Sequence, residues 1–406
     1  MSGPHFVIVG AGHAGGCAAS GLRAAGHAGP ITLLGIEAHP PYERPPLSKE
    51  LLAGAVPVEK TYLRPAAWYA EHEVDLRLGA EAVEIDRAAS RVRLADASTV
   101  AYDALMLTTG ARPRVLRIPG GEGPRIFYLR DIGDSLRLRE RLVPDARLAV
   151  IGAGFIGLEV AATAKKRGGV VTVLELAPQV LARVTPPEIA NYVGDLHRRN
   201  GVVVRTGVAV TAIEDLGDKL VIVMKDGERV EAEYAAVGIG AVPNTELAAA
   251  AGIVCEDGVR VDEFGRTSDP LVFAAGDVTR HFNPLVGRYI RLEAWQNAQN
   301  QALAVAKVMA GGTQPFAEVP WFWTDQFDMN MQMAGAPERW DELVFRGEPA
   351  ERSFTVFHLA GDKVVAVTTV NAIRDMRFGR MLIERGRAVD RAQLADKSVK
   401  LQDLTK

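Results

Sequence analysis

The stretch Phe6-Val-Ile-Val-Gly10-Ala-Gly-His-Ala-Gly15 decides how the first part of this chain folds. Four apolar residues enter a glycine turn, small residues that suit a helix continue to about Ala25, and the apolar run Ile31–Leu34 follows. In such a unit the glycines permit a tight turn, a close approach of pyrophosphate to the backbone, and close packing of helix on strand. Free N–H groups at the start of the helix attract phosphate. The stretch therefore predicts a Rossmann unit that binds a dinucleotide, with phosphate-binding candidates Gly10, Gly12 and Gly15.

A second copy of the pattern begins at Arg147 and continues as Gly152-Ala-Gly-Phe-Ile-Gly157. A helical stretch follows, and then the apolar run Val170–Leu174, which ends in Glu175. An acidic residue at that place accepts the ribose 2′-hydroxyl and repels a 2′-phosphate, so this unit is predicted to prefer NADH to NADPH. One such motif is weak evidence, but two with the correct flanking elements predict two dinucleotides and hence internal redox chemistry. The phosphate-binding candidates of the second copy are Gly152, Gly154 and Gly157.

Composition excludes several other classes of protein. The 406 residues, 48% of them apolar, predict two or three domains at roughly 150 residues each. A net charge of −3 gives no sign of nucleic-acid binding. There is no apolar run of about 18 residues and no signal-peptide pattern, so we expect a cytoplasmic protein without a membrane span. Because Cys17 and Cys255 are isolated and the eight histidines lack ligand spacing, neither a disulfide nor a metal site is expected.

The segment Pro41-Tyr-Glu-Arg-Pro-Pro-Leu-Ser-Lys49 narrows the interpretation. Five further segments agree with it: Thr108–Pro113, Gly238–Asn244, Phe273–Asp277, Arg291–Ala298 and Pro320–Gln326. With these segments almost the whole chain resembles the FAD-dependent NADH:ferredoxin reductases of bacterial cytochrome P450 and ring-hydroxylating dioxygenase systems. That resemblance implies an α/β fold with two Rossmann-like dinucleotide-binding domains, one for FAD and one for NAD, and a C-terminal α/β domain.

The resemblance also implies an order of domains. Residues 1–113 and 239–318 are expected to form a discontinuous FAD-binding domain, with an NADH-binding domain at residues 114–238 inserted between them. Residues 319–406 are expected to form the C-terminal domain, which lies against the flavin. The two crossings coincide with segments rich in glycine and proline, Gly110–Pro113 and Gly238–Pro243, where chains commonly change direction.

Individual cofactor-binding residues follow from the same resemblance. Ala14 and Val83 are expected at the pyrophosphate and adenine ends of FAD, and Asp277 at the ribityl hydroxyls. Family members usually carry an acid where this chain has Ile36, and Glu37 is the substitute candidate for the FAD ribose. The remaining cofactor-binding candidates, near the flavin or the nicotinamide, are Arg44, Lys49, Arg130, Gly238, Trp295 and Trp323. His13, inside the first turn, is expected to be exposed and without a catalytic role.

Two charged residues are the catalytic candidates. Hydride transfer between nicotinamide and flavin needs neither a nucleophile nor a metal, because the cofactors supply the chemistry. Lys49 is the candidate beside flavin N5, and Glu159 resembles the family's carboxylate partner for that lysine; such a pair keeps the ammonium charged and oriented. Relatives that reduce disulfides or peroxide carry redox cysteines, whereas this chain has Ser48 at the corresponding place. We therefore expect no thiol chemistry.

The expected activity is NADH-dependent reduction of an acidic [2Fe–2S] ferredoxin that feeds a cytochrome P450 or a ring-hydroxylating oxygenase. Two alternatives stay open: a reductase of a small acceptor such as a quinone or monodehydroascorbate, and an NADH-sensing flavoprotein that binds a partner. An acidic ferredoxin requires a basic docking face on the reductase. The candidate basic residues lie in the C-terminal part of the chain: Arg374, Arg377, Arg380, Arg385, Arg387, Lys397 and Lys400.

Overall fold

The computed structural model describes residues 3–406 and begins with the predicted strand–turn–helix–strand unit. The apolar, fully buried run Phe6–Val9 forms the central strand, since only a strand covered on both faces is apolar at every position. The elements of this first segment are β1 (Phe6–Val9), α1 (His13–Ala24), β2 (Ile31–Gly35), α2 (Glu50–Ala53), α3 (Ala66–Glu71), β3 (Val74–Leu78), β4 (Ala82–Asp86), β5 (Arg91–Leu94), β6 (Thr99–Ala101), β7 (Ala104–Leu107) and β8 (Ala111–Pro113). Two short 3₁₀ turns lie at Pro45–Ser48 and Val58–Thr61.

The second Rossmann unit repeats this arrangement. Its elements are β9 (Ile126–Tyr128), α4 (Ile132–Arg141), β10 (Arg147–Ile151), α5 (Phe155–Lys166), β11 (Val170–Glu175), α6 (Pro187–Arg199), β12 (Val203–Thr206), β13 (Val210–Asp215), β14 (Leu220–Met224), β15 (Arg229–Ala232) and β16 (Tyr234–Val237). The parallel sheet has the order β12-β11-β10-β16-β9, and β13-β14-β15 form a separate antiparallel sheet.

The next segment returns to the first unit. It contains β17 (Ala241–Pro243), α7 (Glu246–Ala250), β18 (Val259–Val261), β19 (Val272–Ala274), β20 (Thr279–Asn283), β21 (Arg288–Ile290) and α8 (Trp295–Met309). Strand β19 pairs in parallel with β7 and completes a five-stranded sheet of order β19-β7-β1-β2-β3. The outgoing β8 and the returning β17 pair with each other, so the second unit is inserted through two adjacent chain segments.

The last segment is an antiparallel sheet with helices on one face. Its elements are β22 (Trp321–Gln326), β23 (Met329–Ala334), β24 (Glu342–Arg346), β25 (Phe354–Ala360), β26 (Lys363–Val370), α9 (Ile373–Arg385), α10 (Arg391–Ala395) and α11 (Leu401–Leu404). One face of the sheet, with Met331 and Val356, shares a core with α5 and α6 of the second unit, whereas the other packs against α9. The predicted fold class, two Rossmann-like units and a C-terminal α/β domain, is confirmed; the domain boundaries stay a prediction.

None of the helices between residues 3 and 406 is long and apolar enough to cross a membrane.

Candidate functional site

The first glycine turn leaves room for a ligand at one position. Gly10 has a φ of +111°, and a methyl group there would lie 2.3 Å from the carbonyl oxygen of Thr108. A methyl group at Gly15 would lie 2.0 Å from the Gly10 carbonyl, so both glycines are required by packing. A methyl group at Gly12 would have only Nη2 of Arg44, at 3.7 Å, within 4 Å among residues 3–406 other than its two chain neighbours. The backbone at Gly12 and the N-terminus of α1 therefore offer an open place for a pyrophosphate.

Four charged side chains line this first turn. Arg44 Nη2 lies 2.8 Å from Glu37 Oε1, and its guanidinium also donates to the carbonyl oxygen of Arg130. Burial works to raise the pKa of Glu37, but Arg44 and the Tyr42 hydroxyl outweigh it, so the pKa is lowered and the carboxylate is charged. Arg130 Nη2 lies 3.5 Å from Asp277 Oδ2. The arrangement joins residues from three chain segments around the place left open at Gly12.

The residues predicted at the two ends of FAD, Ala14 and Val83, lie on different elements, α1 and β4. Ala14 is buried, and a methyl group at Gly276 would approach its Cβ to 2.9 Å, which places the neighbouring Asp277 close to the start of α1. Val83, 40% exposed, lies on β4, and the Ala80 amide just before this strand donates to the carbonyl oxygen of Gly35 at the end of β2.

The second glycine turn repeats the geometry of the first. Gly152 has a φ of +101°, and a methyl group there would lie 2.4 Å from the carbonyl oxygen of Gly238. A methyl group at Gly157 would lie 2.1 Å from the Gly152 carbonyl, whereas at Gly154 the nearest described atom is Gly238 O at 3.8 Å. Gly154 is thus the open position, as Gly12 is in the first turn. The predicted candidate Gly238 supports the turn through its backbone.

Glu175 lies where the sequence places it, at the end of β11 beside the second turn. Its Oε2 accepts from the Ala153 amide at 2.5 Å, and its Oε1 accepts from the Ala177 amide at 2.8 Å. A carboxylate has about four acceptor sites, so these two bonds leave capacity for a ribose hydroxyl.

Lys49 and Glu159 meet between the two units. Lys49 Nζ lies 3.2 Å from Glu159 Oε1, and the Glu159 side chain is only 4% exposed. Ser48 Oγ donates to Glu159 Oε2 at 2.5 Å, and Thr324 Oγ1 donates to Oε1 at 2.6 Å. Burial outweighs the opposing effect of Lys49 and these hydroxyls, so the pKa of Glu159 is raised above its usual range. Lys49 Nζ also approaches Asp325 Oδ2 at 3.5 Å.

An aromatic cluster covers Lys49. Its Nζ lies 5.3 Å from the centroid of the Trp323 ring, a cation–π distance. Trp323 stacks on Trp321 at 5.2 Å and meets the edge of Trp295 at 5.6 Å. Trp295 in turn lies 5.1 Å from the ring of His13. The cluster therefore connects the C-terminal sheet with the start of α1.

His13 corrects one expectation from the sequence. Its side chain is buried, and burial lowers its pKa to about 4, because Trp295 of α8 lies against the imidazole. Neither ring nitrogen has a hydrogen-bond partner among residues 3–406. The imidazole is a neutral polar group beside the open turn.

The site also includes residues that the sequence did not single out. Thr324 and Asp325 stand in a quoted motif, and Ser48 stands at the place of the relatives' redox cysteine; all three contact Lys49 or Glu159. Their positions in these motifs, next to the candidate residues Lys49 and Trp323, are the sequence feature from which a role could have been predicted. The two cysteines lie elsewhere: Cys17 is buried in α1, where burial raises its pKa to about 12, and burial also raises the pKa of Cys255.

The basic candidates in the C-terminal segment divide into two groups. Lys397 pairs with Glu351, and Arg387 donates to a backbone carbonyl. The other five, Arg374, Arg377, Arg380 and Arg385 of α9 and Lys400, have no ion pair within residues 3–406, and all of them except Arg380 are exposed. α9 packs on the side of the sheet where Trp321 lies. Since alternate residues of a strand share a face, Trp323 lies on that side too.

Two family models and several relatives match the chain. The pyridine nucleotide-disulphide oxidoreductase model matches residues 4–302, and the reductase C-terminal model matches residues 321–405. The ferredoxin–NAD(+) reductase component of the anthranilate 1,2-dioxygenase system of Burkholderia cepacia is 44% identical, over 99% of each chain.

Two solved structures have the same fold. The ferredoxin reductase for the CYP199A2 system from Rhodopseudomonas palustris superposes with a TM-score of 0.96 at 39% identity, over 99% of this chain and 100% of that one. The covalent putidaredoxin reductase–putidaredoxin complex gives a TM-score of 0.96 at 40% identity, over 100% of this chain and 98% of that one. With these matches along nearly its whole length, the chain belongs to the pyridine nucleotide-disulphide oxidoreductase family, among the ferredoxin–NAD(+) reductases of oxygenase systems.

Proposed function

We propose that this protein is an NADH-dependent ferredoxin reductase that passes electrons to a [2Fe–2S] ferredoxin and, through it, to a cytochrome P450 or a ring-hydroxylating oxygenase. When bound, FAD accepts a hydride from NADH and releases electrons one at a time. The relatives support this proposal, because they are ferredoxin reductases of a dioxygenase system and of a CYP199A2 system. We further propose that the protein acts in the cytoplasm.

The observation that carries the proposal is the position of Lys49. This residue belongs to the first Rossmann unit, its partner Glu159 to the second, and the adjacent Trp323 to the C-terminal sheet. A site for hydride transfer between two dinucleotides must lie where the two units meet, and the Lys49–Glu159 pair lies there. The ammonium provides a fixed positive charge in a partly buried place, which stabilises negative charge on a neighbouring group.

We assign the two open turns to the two cofactors. The place at Gly12 and the helix N-terminus of α1 suit the FAD pyrophosphate, with Asp277 at the ribityl hydroxyls and Arg44 and Arg130 toward the flavin. The place at Gly154 and the start of α5 suits the NADH pyrophosphate, and Glu175 suits the adenosine ribose. The domain division at residues 1–113 with 239–318, 114–238 and 319–406 is part of this proposal, and the pairing of β19 with β7 supports it.

The absence of a reactive thiolate favours an outward electron transfer. Ser48 occupies the place beside Lys49, and its hydroxyl is engaged by Glu159. Cys17 holds its proton at neutral pH, because burial raises its pKa to about 12. Electrons therefore leave through an external acceptor rather than through a cysteine of this chain.

A turnover assay tests the proposal. Purified protein loaded with FAD is supplied with NADH, and the reduction of several [2Fe–2S] ferredoxins, a quinone and monodehydroascorbate is followed. Rapid NADH-dependent reduction of at least one ferredoxin is expected. Rapid turnover of a small acceptor with no ferredoxin reduced would instead indicate a small-acceptor reductase, and slow turnover with every acceptor would indicate a binding protein.

A further inference from the structure

A row of buried polar side chains runs from α6 to Glu159. His197 of α6 is fully buried, and its Nε2 lies 2.8 Å from Gln326 Oε1. Gln326 Nε2 donates to Thr324 Oγ1 at 3.0 Å, and Thr324 Oγ1 donates to Glu159 Oε1 at 2.6 Å. The row thus crosses from the second Rossmann unit to β22 of the C-terminal sheet and back, and it ends at the carboxylate that pairs with Lys49.

Elementary donor and acceptor counting fixes the direction of this row. A threonine hydroxyl has one proton, and the Glu159 carboxylate, as the ion-pair partner of Lys49, has none to give, so Thr324 donates to Glu159. The hydroxyl then accepts from Gln326, whose amide nitrogen can only donate. The amide oxygen of Gln326 in turn accepts from His197, which therefore carries its proton on Nε2.

The surroundings of His197 agree with this direction. Its Nδ1 is buried and has no hydrogen-bond partner among residues 3–406. A buried nitrogen without a partner costs less free energy when it carries no proton than when it is an N–H donor, so the proton belongs on Nε2. Burial lowers the pKa of His197 to about 4, so the imidazole is neutral at neutral pH. The charged groups close to Glu159 are Lys49 and, on the far side of Lys49, Asp325.

We propose that Thr324, Gln326 and His197 are positioning residues. They form a hydrogen-bond chain in which each residue donates toward Glu159, and this chain holds Glu159 ionised and oriented toward Lys49. The inference rests on the proposed function, because it assigns these residues to the Lys49–Glu159 pair. Burial opposes the charge on Glu159, and each donated hydrogen bond to the carboxylate offsets part of that effect. Loss of the chain therefore weakens the Lys49–Glu159 ion pair even when neither of these two residues is substituted.

The first test changes only the last donor of the chain. Thr324→Val keeps the shape and removes the hydroxyl, and Thr324→Ser restores it. The matched control is Thr369→Val on β26, since Thr369 is equally buried and its hydroxyl has no partner among residues 3–406. In oxidised protein loaded with FAD, the ¹³C shift of the Glu159 carboxyl, identified by its loss in Glu159→Gln, reports the proton affinity of this group.

Thr324→Val is expected to raise the proton affinity of Glu159 about tenfold, the size of one lost hydrogen bond to a charged group. Thr324→Ser and Thr369→Val are expected to match the wild type. An unchanged proton affinity in Thr324→Val, or an equal change in Thr369→Val, would overturn the proposal.

The second test needs no change to the chain. In protein labelled with ¹⁵N-histidine, the His197 ring is expected to be neutral and protonated on Nε2 from pH 6 to pH 8. Its signals are assigned by their loss in His197→Gln. A ring protonated on Nδ1, or on both nitrogens, would reverse or break the chain and refute the proposal. Because neither test requires NADH or ferredoxin, failure of the proposed function would appear only in the turnover assay.

Discussion

Removal of Lys49 leaves the buried Glu159 carboxylate without its ion pair, and removal of Glu159 leaves Lys49 with only the more distant Asp325. Lys49→Met and Glu159→Ala are each expected to slow flavin reduction by NADH about tenfold to a hundredfold, since a hydrogen bond to a charged group contributes about 1.5–3 kcal/mol. The double variant should lose less than the product of the two single effects, because contacting residues are not additive. Stopped-flow measurement of flavin reduction checks this prediction. Independent, multiplicative losses would mean that the two side chains do not act together.

Glu175 is expected to set the coenzyme preference. The wild type should prefer NADH strongly, and Glu175→Ala should reduce the ratio of kcat/KM for NADH to that for NADPH by about tenfold or more, because a 2′-phosphate no longer meets a carboxylate. Glu175 also accepts hydrogen bonds from the Ala153 and Ala177 amides, so Glu175→Ala should weaken NADH binding as well.

Glu175→Gln is the matched control for that effect. It removes the charge and keeps one acceptor for these amides. It should therefore relax the preference while retaining more of the NADH activity. Equal kcat/KM for both coenzymes in the wild type would contradict the assignment.

At the scale of the element, different glycines of the turn before α1 serve folding and ligand binding. Gly12→Ala adds a methyl group where the only described atom within 4 Å is Arg44 Nη2, so the apoprotein should keep its structure and thermal stability. The same methyl group occupies the open place at the turn, and FAD affinity should fall about tenfold or more.

Calorimetric titration of the apoprotein with FAD measures this effect. Gly123→Ala is the control, since it lies just before β9 and the nearest atom to its added methyl group, outside the adjacent residues, is 4.0 Å away. Unchanged FAD affinity in Gly12→Ala would place the pyrophosphate elsewhere.

Helix α9 is the element to which an acidic ferredoxin is expected to bind. Arg377→Glu combined with Arg380→Glu should lower the rate of association with ferredoxin and flatten its dependence on salt, because charges at the rim of an interface steer encounter. Turnover with ferricyanide should be unchanged, since a small acceptor needs no docked protein.

The control for α9 is a double charge reversal on α6, Arg198→Glu with Arg199→Glu. It should leave ferredoxin reduction at the level of the wild type. If the α9 variant loses both activities together, the arginines support the fold rather than the docking. If it loses neither, the docking face lies elsewhere.

At the scale of the whole molecule, four buried histidines connect stability to pH. Burial lowers the pKa values of His13, His197, His281 and His358 to about 4. Between pH 6.5 and pH 4 the unfolded chain binds protons at these positions and the folded chain does not. Their contribution to the free energy of unfolding is therefore fully present above pH 6.5. It is lost as the pH falls toward 4, by about 1.4 kcal/mol per pH unit for each histidine.

Melting temperatures between pH 7.5 and pH 5 check this dependence. His281→Leu should lose less Tm per pH unit than the wild type. Phe316→Leu, which removes the aromatic neighbour of His281 and no titratable group, should destabilise the protein while keeping the wild-type slope. Equal slopes in His281→Leu and the wild type would show that this histidine titrates alike in the folded and unfolded chains.

The sequence by itself determined both glycine turns and the fold class around them. The reason is local: a tight turn with a positive φ at Gly10 and Gly152, followed at once by a helix, is encoded within six residues. The strand before each turn is likewise apolar where it is buried, at Phe6–Val9 and at 148–151, because it is covered there on both faces. The Lys49–Glu159 pair came from resemblance to a family rather than from spacing, since 110 positions separate the two residues.

Only the tertiary structure decided which side chains surround that pair. His13 is buried because α8 brings Trp295 against it, and nothing near His13 in the sequence indicates this. The His197–Gln326–Thr324 row likewise depends on the docking of the C-terminal sheet against α5 and α6, where Met331 and Val356 share a core with the second unit. Local patterns specify turns and strands, whereas contacts between distant segments follow from how the completed units pack, and that packing gives Glu159 its donors.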